Sequence, residues 1–112
     1  MKIINKDVSA EQAIWNYDPC IYNGNVTAER SIWNDEPSIY HGNLTAEWNI
    51  SNYEPSIYNG NVSTEWDIDN FEPCIYNGDV TAGRGIWNLE PSYYKQYDHL
   101  IFNAELLNSV KV

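Results

Sequence analysis

The sequence predicts an all-β chain, a single-domain β-solenoid of about five 18-residue coils with a C-terminal cap. Three observations carry that expectation. Pro19, Pro37, Pro55, Pro73 and Pro91 stand on one ladder with a step of 18 residues. Between the prolines the residues alternate with period 2, as in Ser38, Tyr40, Gly42, Leu44 and Ala46 against Ile39, His41, Asn43 and Thr45, which is strand behaviour. Asparagine is heavily used, 15 of 112 residues, and most of it falls in columns at the same step. A step this short cannot hold a helix pair, which needs ~33 residues.

Each phase of the unit has a role in that picture. The repeat runs over 8–94 inside a single domain of 1–112, beginning with a partial coil at Val8, Ser9, Ala10 and Glu11. Proline marks a corner, where its missing N–H is not needed by a ladder. Ile14, Ile32, Ile50, Ile68 and Ile86 form one aliphatic column, and Val26, Leu44, Val62 and Val80 another. Tyr22, Tyr40, Tyr58, Tyr76 and Tyr94 form an aromatic column. Stacked coils set like residues ~4.8 Å apart, which favours aromatic stacks and amide ladders. The asparagine columns headed by Asn16, Asn23 and Asn25 fit such ladders, each amide bonding its neighbours above and below. Two other arrangements compete. Asn23-Gly24 between apolar runs is a hairpin signal, so five hairpins are an alternative. Ser9-Ala10-Glu11-Gln12 resembles a helix start, which leaves a helix-containing repeat as a third.

Cys20 and Cys74 share a column with Ser38, Ser56 and Ser92. Three coils apart means roughly 14 Å, too far for a disulfide. They are expected to be small buried fillers. The segment 95–112 departs from the repeat and is expected to cap the stack, with a helix beginning near Asp98 and burying Leu100, Ile101, Ala104 and Leu107. The N-terminal end, covered by Met1 to Asp7 alone, is then the more open edge. An end or the C-terminal segment is where a homodimer would form.

The alternation of Tyr22, Gly24, Val26, Ala28 and Ile32, and of their copies, resembles the right-handed β-helix repeat of bactofilins. That resemblance implies a three-sided right-handed β-helix and self-assembly, and no catalytic residues. Left-handed β-helix acyltransferases also use 18-residue coils, but they need an aliphatic hexad that Ser38, Ser56 and Ser92 interrupt here.

Function is expected to be binding, without catalysis or cofactor. Neither His41 nor His99 has a partner at motif spacing, and no nucleophile elbow, phosphate loop or metal pattern occurs. His41 takes the phase of Asn23, Asn59 and Asn77, so it is read as a drifted ladder member. A formal charge of −10 argues against direct contact with nucleic acid or an anionic membrane. No apolar run approaches a membrane span, and no apolar core near Met1 suggests a signal peptide, so a cytoplasmic setting is expected.

Nine of the 16 acidic residues fall in two rows. Asp18, Glu36, Glu54, Glu72 and Glu90 precede the prolines; Glu11, Glu29, Glu47 and Glu65 form the second row, which ends at Gly83. Like charges at ~4.8 Å repel by ~0.9 kcal/mol per neighbour in water. The coil does not require this, so the rows are either solubilising or a recognition surface. Two such rows carry a charge every ~2.4 Å, against ~1.7 Å in duplex DNA. The rows therefore suit the basic surface of a protein partner, including one that normally holds nucleic acid.

Tryptophan adds a second feature. Trp15, Trp33 and Trp87 hold one phase, replaced elsewhere by Ser51 and Asp69. Trp48 and Trp66 hold another, replaced by Gln12, Arg30 and Arg84. A buried position would not exchange Trp for Arg or Asp, so the two phases predict an exposed Trp/Arg face, with Arg30 beside Trp33 and Arg84 beside Trp87. Such a face suits a protein interface or, as an alternative, the stacking of sugar rings.

Overall fold

The computed structural model describes residues 2–90, 92–95 and 99–101, and shows a β-solenoid of about five coils. Each coil is three short strands joined by three corners. The first holds β1 (Lys2–Ile4), β2 (Val8–Ala10) and β3 (Ile14–Asn16). The second holds β4 (Cys20–Tyr22), β5 (Val26–Ala28) and β6 (Ile32–Asn34). β7 (Ile39–Tyr40), β8 (Leu44–Ala46) and β9 (Ile50–Asn52) follow, then β10 (Ile57–Tyr58), β11 (Val62–Thr64) and β12 (Asp67–Asn70). The fifth coil is β13 (Ile75–Tyr76), β14 (Val80–Ala82) and β15 (Gly85–Asn88), and β16 (Ser92–Tyr94) begins a further turn before β17 (His99–Ile101).

Three sheets result. Sheet A runs β1-β4-β7-β10-β13-β16-β17, sheet B β14-β11-β8-β5-β2 and sheet C β15-β12-β9-β6-β3. All pairings are parallel and in register at the 18-residue step, except that β17 runs antiparallel to β16. Strands joined by Asn-Gly lie in different sheets, so the hairpin reading fails. Glycine answers a different need there. A Cβ on Gly42 would meet the Gly24 carbonyl oxygen at 2.3 Å, and one on Gly60 the Gly42 oxygen at 2.2 Å. The backbone of each coil rests on the next at that corner.

The interior is built from three kinds of column. Val26, Leu44, Val62 and Val80 pack with Ile32, Ile50, Ile68 and Ile86, all nearly inaccessible. The tyrosine rings stack at 4.7 to 5.0 Å, within 6° of parallel. Beside them runs a buried amide ladder, in which Asn34 Nδ2 donates to Asn52 Oδ1 at 2.8 Å and Asn52 Nδ2 to Asn70 Oδ1 at 2.8 Å. The two columns are stitched together. The Tyr58 hydroxyl donates to Asn52 Oδ1, at the end of the preceding coil, and accepts from Asn34 Nδ2, one coil further back, the latter at 2.9 Å. An interior amide thus satisfies both N–H donors and both oxygen lone pairs, the full inventory of an asparagine. This is why Asn34, Asn52 and Asn70 can sit in an apolar core without the cost of unpaired buried polar groups. The ladder ends at Asn88, whose Nδ2 has no partner.

Burial holds these phenols in their neutral form, pushing Tyr40, Tyr58 and Tyr76 well above the ordinary tyrosine range. Cys20 and Cys74 are free and buried, as the coil spacing requires. Burial lifts the Cys74 thiol to about 12, so it is inert as a nucleophile.

Three expectations change in detail and one holds. The repeat starts earlier than Val8, because Lys2–Ile4 pairs in register with Cys20–Tyr22 and is a rung, not a cover. The Asn25 column bonds side chain to backbone: Asn43 N–H donates to Asn25 Oδ1 at 2.9 Å and Asp79 N–H to Asn61 Oδ1 at 3.0 Å. Only an acceptor is needed there, which explains why Asp7 can stand in the same column and receive the Asn25 N–H at 2.8 Å. His41 does join the outer amide column, within 3.0 Å of Asn59 Nδ2. Finally, His99–Ile101 is a strand, not the start of a helix. The antiparallel return needs no further coil, which is a way to close a parallel ladder. The rest of the expected helix lies outside the described residues. Among these, no helix is long and apolar enough to cross a membrane.

Candidate binding face

The three outer faces differ in chemistry. Sheet B presents Ser9, Thr27, Thr45, Ser63 and Thr81. Sheet A presents Ile3, Ile21, Ile39, Ile57, Ile75 and Tyr93. Sheet C carries Trp15, Trp33, Ser51, Asp69 and Trp87 in one outward column. The segment of each coil that crosses sheet C begins at the row of Glu11, Glu29, Glu47 and Glu65 and ends at the row of Asp18, Glu36, Glu54, Glu72 and Glu90. The aromatic columns are therefore framed by carboxylates on both sides. All nine side chains reach solvent, and Glu36 alone is partly covered.

The gap in the first row has a steric cause. A Cβ on Gly83 would meet the Glu65 carbonyl oxygen at 2.1 Å, so the fifth coil cannot carry a side chain there without shifting.

The arginines do not pair as adjacency along the chain suggests. Arg30 lies over Trp48 at 5.1 Å and Arg84 over Trp66 at 4.6 Å, not beside Trp33 and Trp87. Trp48 and Trp66 themselves stack at 5.0 Å, 2° from parallel. The result is one four-layer column, Arg30–Trp48–Trp66–Arg84, along the corner between sheets B and C. In a solenoid the nearest neighbour of a side chain is its copy 18 residues away, and that neighbour decides the pairing. The exchange of Trp for Arg is then a cation–π sandwich, each contact worth ~0.5–1 kcal/mol at an exposed site.

At the first coils Trp15 meets Trp33 edge-on at 5.0 Å and donates its indole N–H to Asp35 Oδ2 at 2.7 Å. It also stacks on Tyr17 at 5.1 Å. Tyr17 opens a third exposed column, with Asp35, Tyr53, Phe71 and Leu89, that the sequence reading missed. Tyr53 and Phe71 stack at 5.0 Å. No residue type dominates that column, but its position two residues past the Trp phase, before the acidic row, is a signal of exposure.

Where Ser51 and Asp69 replace tryptophan the face is notched. A cleft of about 210 Å³ is lined by Asp69, Asn70, Phe71, Trp87, Asn88 and Leu89. Burial, and then the nearby Asp67 carboxylate, raise the Asp69 pKa above the ordinary aspartate range, while a hydrogen bond with Ser51 acts against them. Among the described residues no group of three His, Cys, Asp or Glu is arranged to hold a metal ion. Among protein-family models, curated proteins and solved structures, none matches this chain.

Proposed function

We propose that the protein works by binding, and that sheet C engages the basic surface of a protein partner. What supports this reading is one observation: the exposed aromatic columns lie between two rows of carboxylates on a single face. Cationic side chains with apolar stems suit such a face, the charge meeting the rows and the stem or the charge meeting the rings. Rungs repeat at 4.7 to 5.0 Å, so two rows carry a charge every ~2.4 Å, near the ~1.7 Å of duplex DNA. A partner whose surface normally holds nucleic acid fits best, and occupying that surface would make this protein an inhibitor in a cytoplasmic setting.

Replacing Glu36, Glu54 and Glu72 with Lys tests the reading. The immobilised protein is used to capture partners from a lysate of the native host. A basic protein held by the wild type and lost by the triple variant, with an unchanged circular dichroism spectrum, is the expected result. Equal capture by both would overturn it.

A second reading is end-to-end assembly, as the bactofilin resemblance implies. Its support is that β1, β2 and β3 are terminal strands of their sheets, each with one edge unpaired among the described residues. Light scattering decides: a mass that grows with concentration favours assembly, and a constant mass removes it.

A further inference from the structure

We infer that the notch at Asp69 and Trp87 is a receptor site for a single organic cation, the guanidinium or ammonium head of a partner's side chain. The chain itself supplies the precedent. It lays Arg30 on Trp48 and Arg84 on Trp66, at 5.1 and 4.6 Å. Trp87 offers the same ring chemistry one column away, and among the described residues no cation covers it.

The site has three parts. Trp87 is the wall, 45% exposed, and its neighbour one rung below is Asp69 rather than another ring. Phe71 and Leu89 bound the cleft on the side of the acidic row and are themselves exposed, so the opening faces solvent. Asp69 supplies a carboxylate half withdrawn from water, with Ser51 hydrogen-bonded to it. A carboxylate in that setting forms a charge-assisted hydrogen bond stronger than one on the open surface, because the local dielectric is lower. Aromatic wall and carboxylate together select a cation that is both charged and weakly hydrated, which describes guanidinium and alkylammonium better than Na⁺.

Size argues for one side chain rather than a free metabolite. The cleft is about 210 Å³, below the ~300–1,000 Å³ of pockets that enclose small-molecule ligands. Charge argues the same way, since Asp67 and the row of Glu54, Glu72 and Glu90 surround the notch with negative potential. The identity of the guest as a partner's side chain rests on the function proposed above; the affinity of the notch for a cation does not.

The test is a titration of the ¹⁵N-labelled full chain with Nα-acetyl-arginine methylamide, followed at the tryptophan indole N–H signals. Sodium chloride at matched ionic strength is the control. The Trp87 signal is expected to shift and saturate, with Trp48 and Trp15 unmoved. Asp69→Ser, which copies the residue already tolerated at position 51, is expected to weaken binding ~5-fold or more. Asp69→Asn keeps the shape and removes the charge, and should do the same. Equal shifts at all tryptophans, shifts reproduced by sodium chloride, or unchanged affinity in both variants would overturn the inference. No partner is present in the titration. A notch that binds while lysate capture fails therefore sinks the partner reading alone, and the reverse sinks the notch alone.

Discussion

The interior tyrosine and asparagine columns keep one residue type through five successive coils, whereas the outer columns of sheet C change it at nearly every step. Tyr22 to Tyr94 and Asn16 to Asn88 are invariant along the stack. The outer column reads Trp, Trp, Ser, Asp, Trp, and the one beside it Tyr, Asp, Tyr, Phe, Leu. Inside, a changed residue strands hydrogen-bonding groups in the coil below and the coil above. On the outside of sheet C no such rule is imposed. A solvated face would then drift towards small polar residues, as sheet B has with its Ser and Thr column. Sheet C instead keeps large aromatic side chains between carboxylates. The contrast separates what holds the coils together from what is free to serve recognition.

The largest effect should come from alkali, acting through the interior phenols. Below pH ~10 the phenols are neutral in folded and unfolded chains alike. Above it the unfolded chain ionises them and the folded chain, with Tyr40, Tyr58 and Tyr76 raised, does not. Stability therefore falls as pH rises, by about 1.4 kcal/mol per pH unit for each such phenol. The tyrosinate absorbance of the buried column and the circular dichroism should change together in one cooperative step. A separate titration of these tyrosines before unfolding would contradict the network.

Next comes a contrast within the interior column. Asn52→Leu leaves Asn34 Nδ2, Asn70 Oδ1 and the Tyr58 and Tyr76 hydroxyls short of a partner. Urea denaturation should show a loss of about 3–6 kcal/mol. Asn88→Leu, at the end of the ladder, removes a residue whose Nδ2 is already unpaired and should lose about 1–3 kcal/mol. Equal losses would mean that the ladder does not act as a chain.

On the outer face the effects shrink. Trp48→Ala removes the contacts with Arg30 and Trp66, and should cost about 1–2 kcal/mol with the spectrum otherwise preserved. Asp69→Asn should act in the opposite direction. Its carboxyl has a raised pKa in the folded chain, so the stability it lends is present in acid and lost as pH rises through that range. The variant should have a higher melting temperature than wild type at neutral pH, and the difference should vanish near pH ~3. No gain at neutral pH would mean that Asp69 is not held at a stability cost.

Much of this was legible in the sequence because a solenoid turns position into geometry. The proline step, the amide ladders headed by Asn16 and Asn23, the buried Cys20 and Cys74 and both acidic rows follow from copying one unit. Beyond the Asn25 column and the strand His99–Ile101, three things were not legible, for physical reasons. The partners of Arg30 and Arg84 were misjudged because three residues along the chain place side chains on different parts of a side, while 18 residues place them in contact. The Tyr17 column was missed because an exposed column need not repeat an identity. The first rung, Lys2–Ile4, was missed because Lys2 and Ile4 replace the Cys and Tyr of the later coils, where nothing below them needs a partner.

The central claim, that recognition belongs to the framed face of sheet C and not to net charge, has one direct test. Replacing Glu36, Glu54 and Glu72 with Gln changes the charge by +3 on the edge of sheet C. Replacing Thr27, Thr45 and Thr81 with Lys changes it by the same +3 on sheet B, where those side chains are exposed. Partner capture by the two variants is measured side by side. The account predicts that the first loses the partner and the second keeps it; equal losses in both would contradict it.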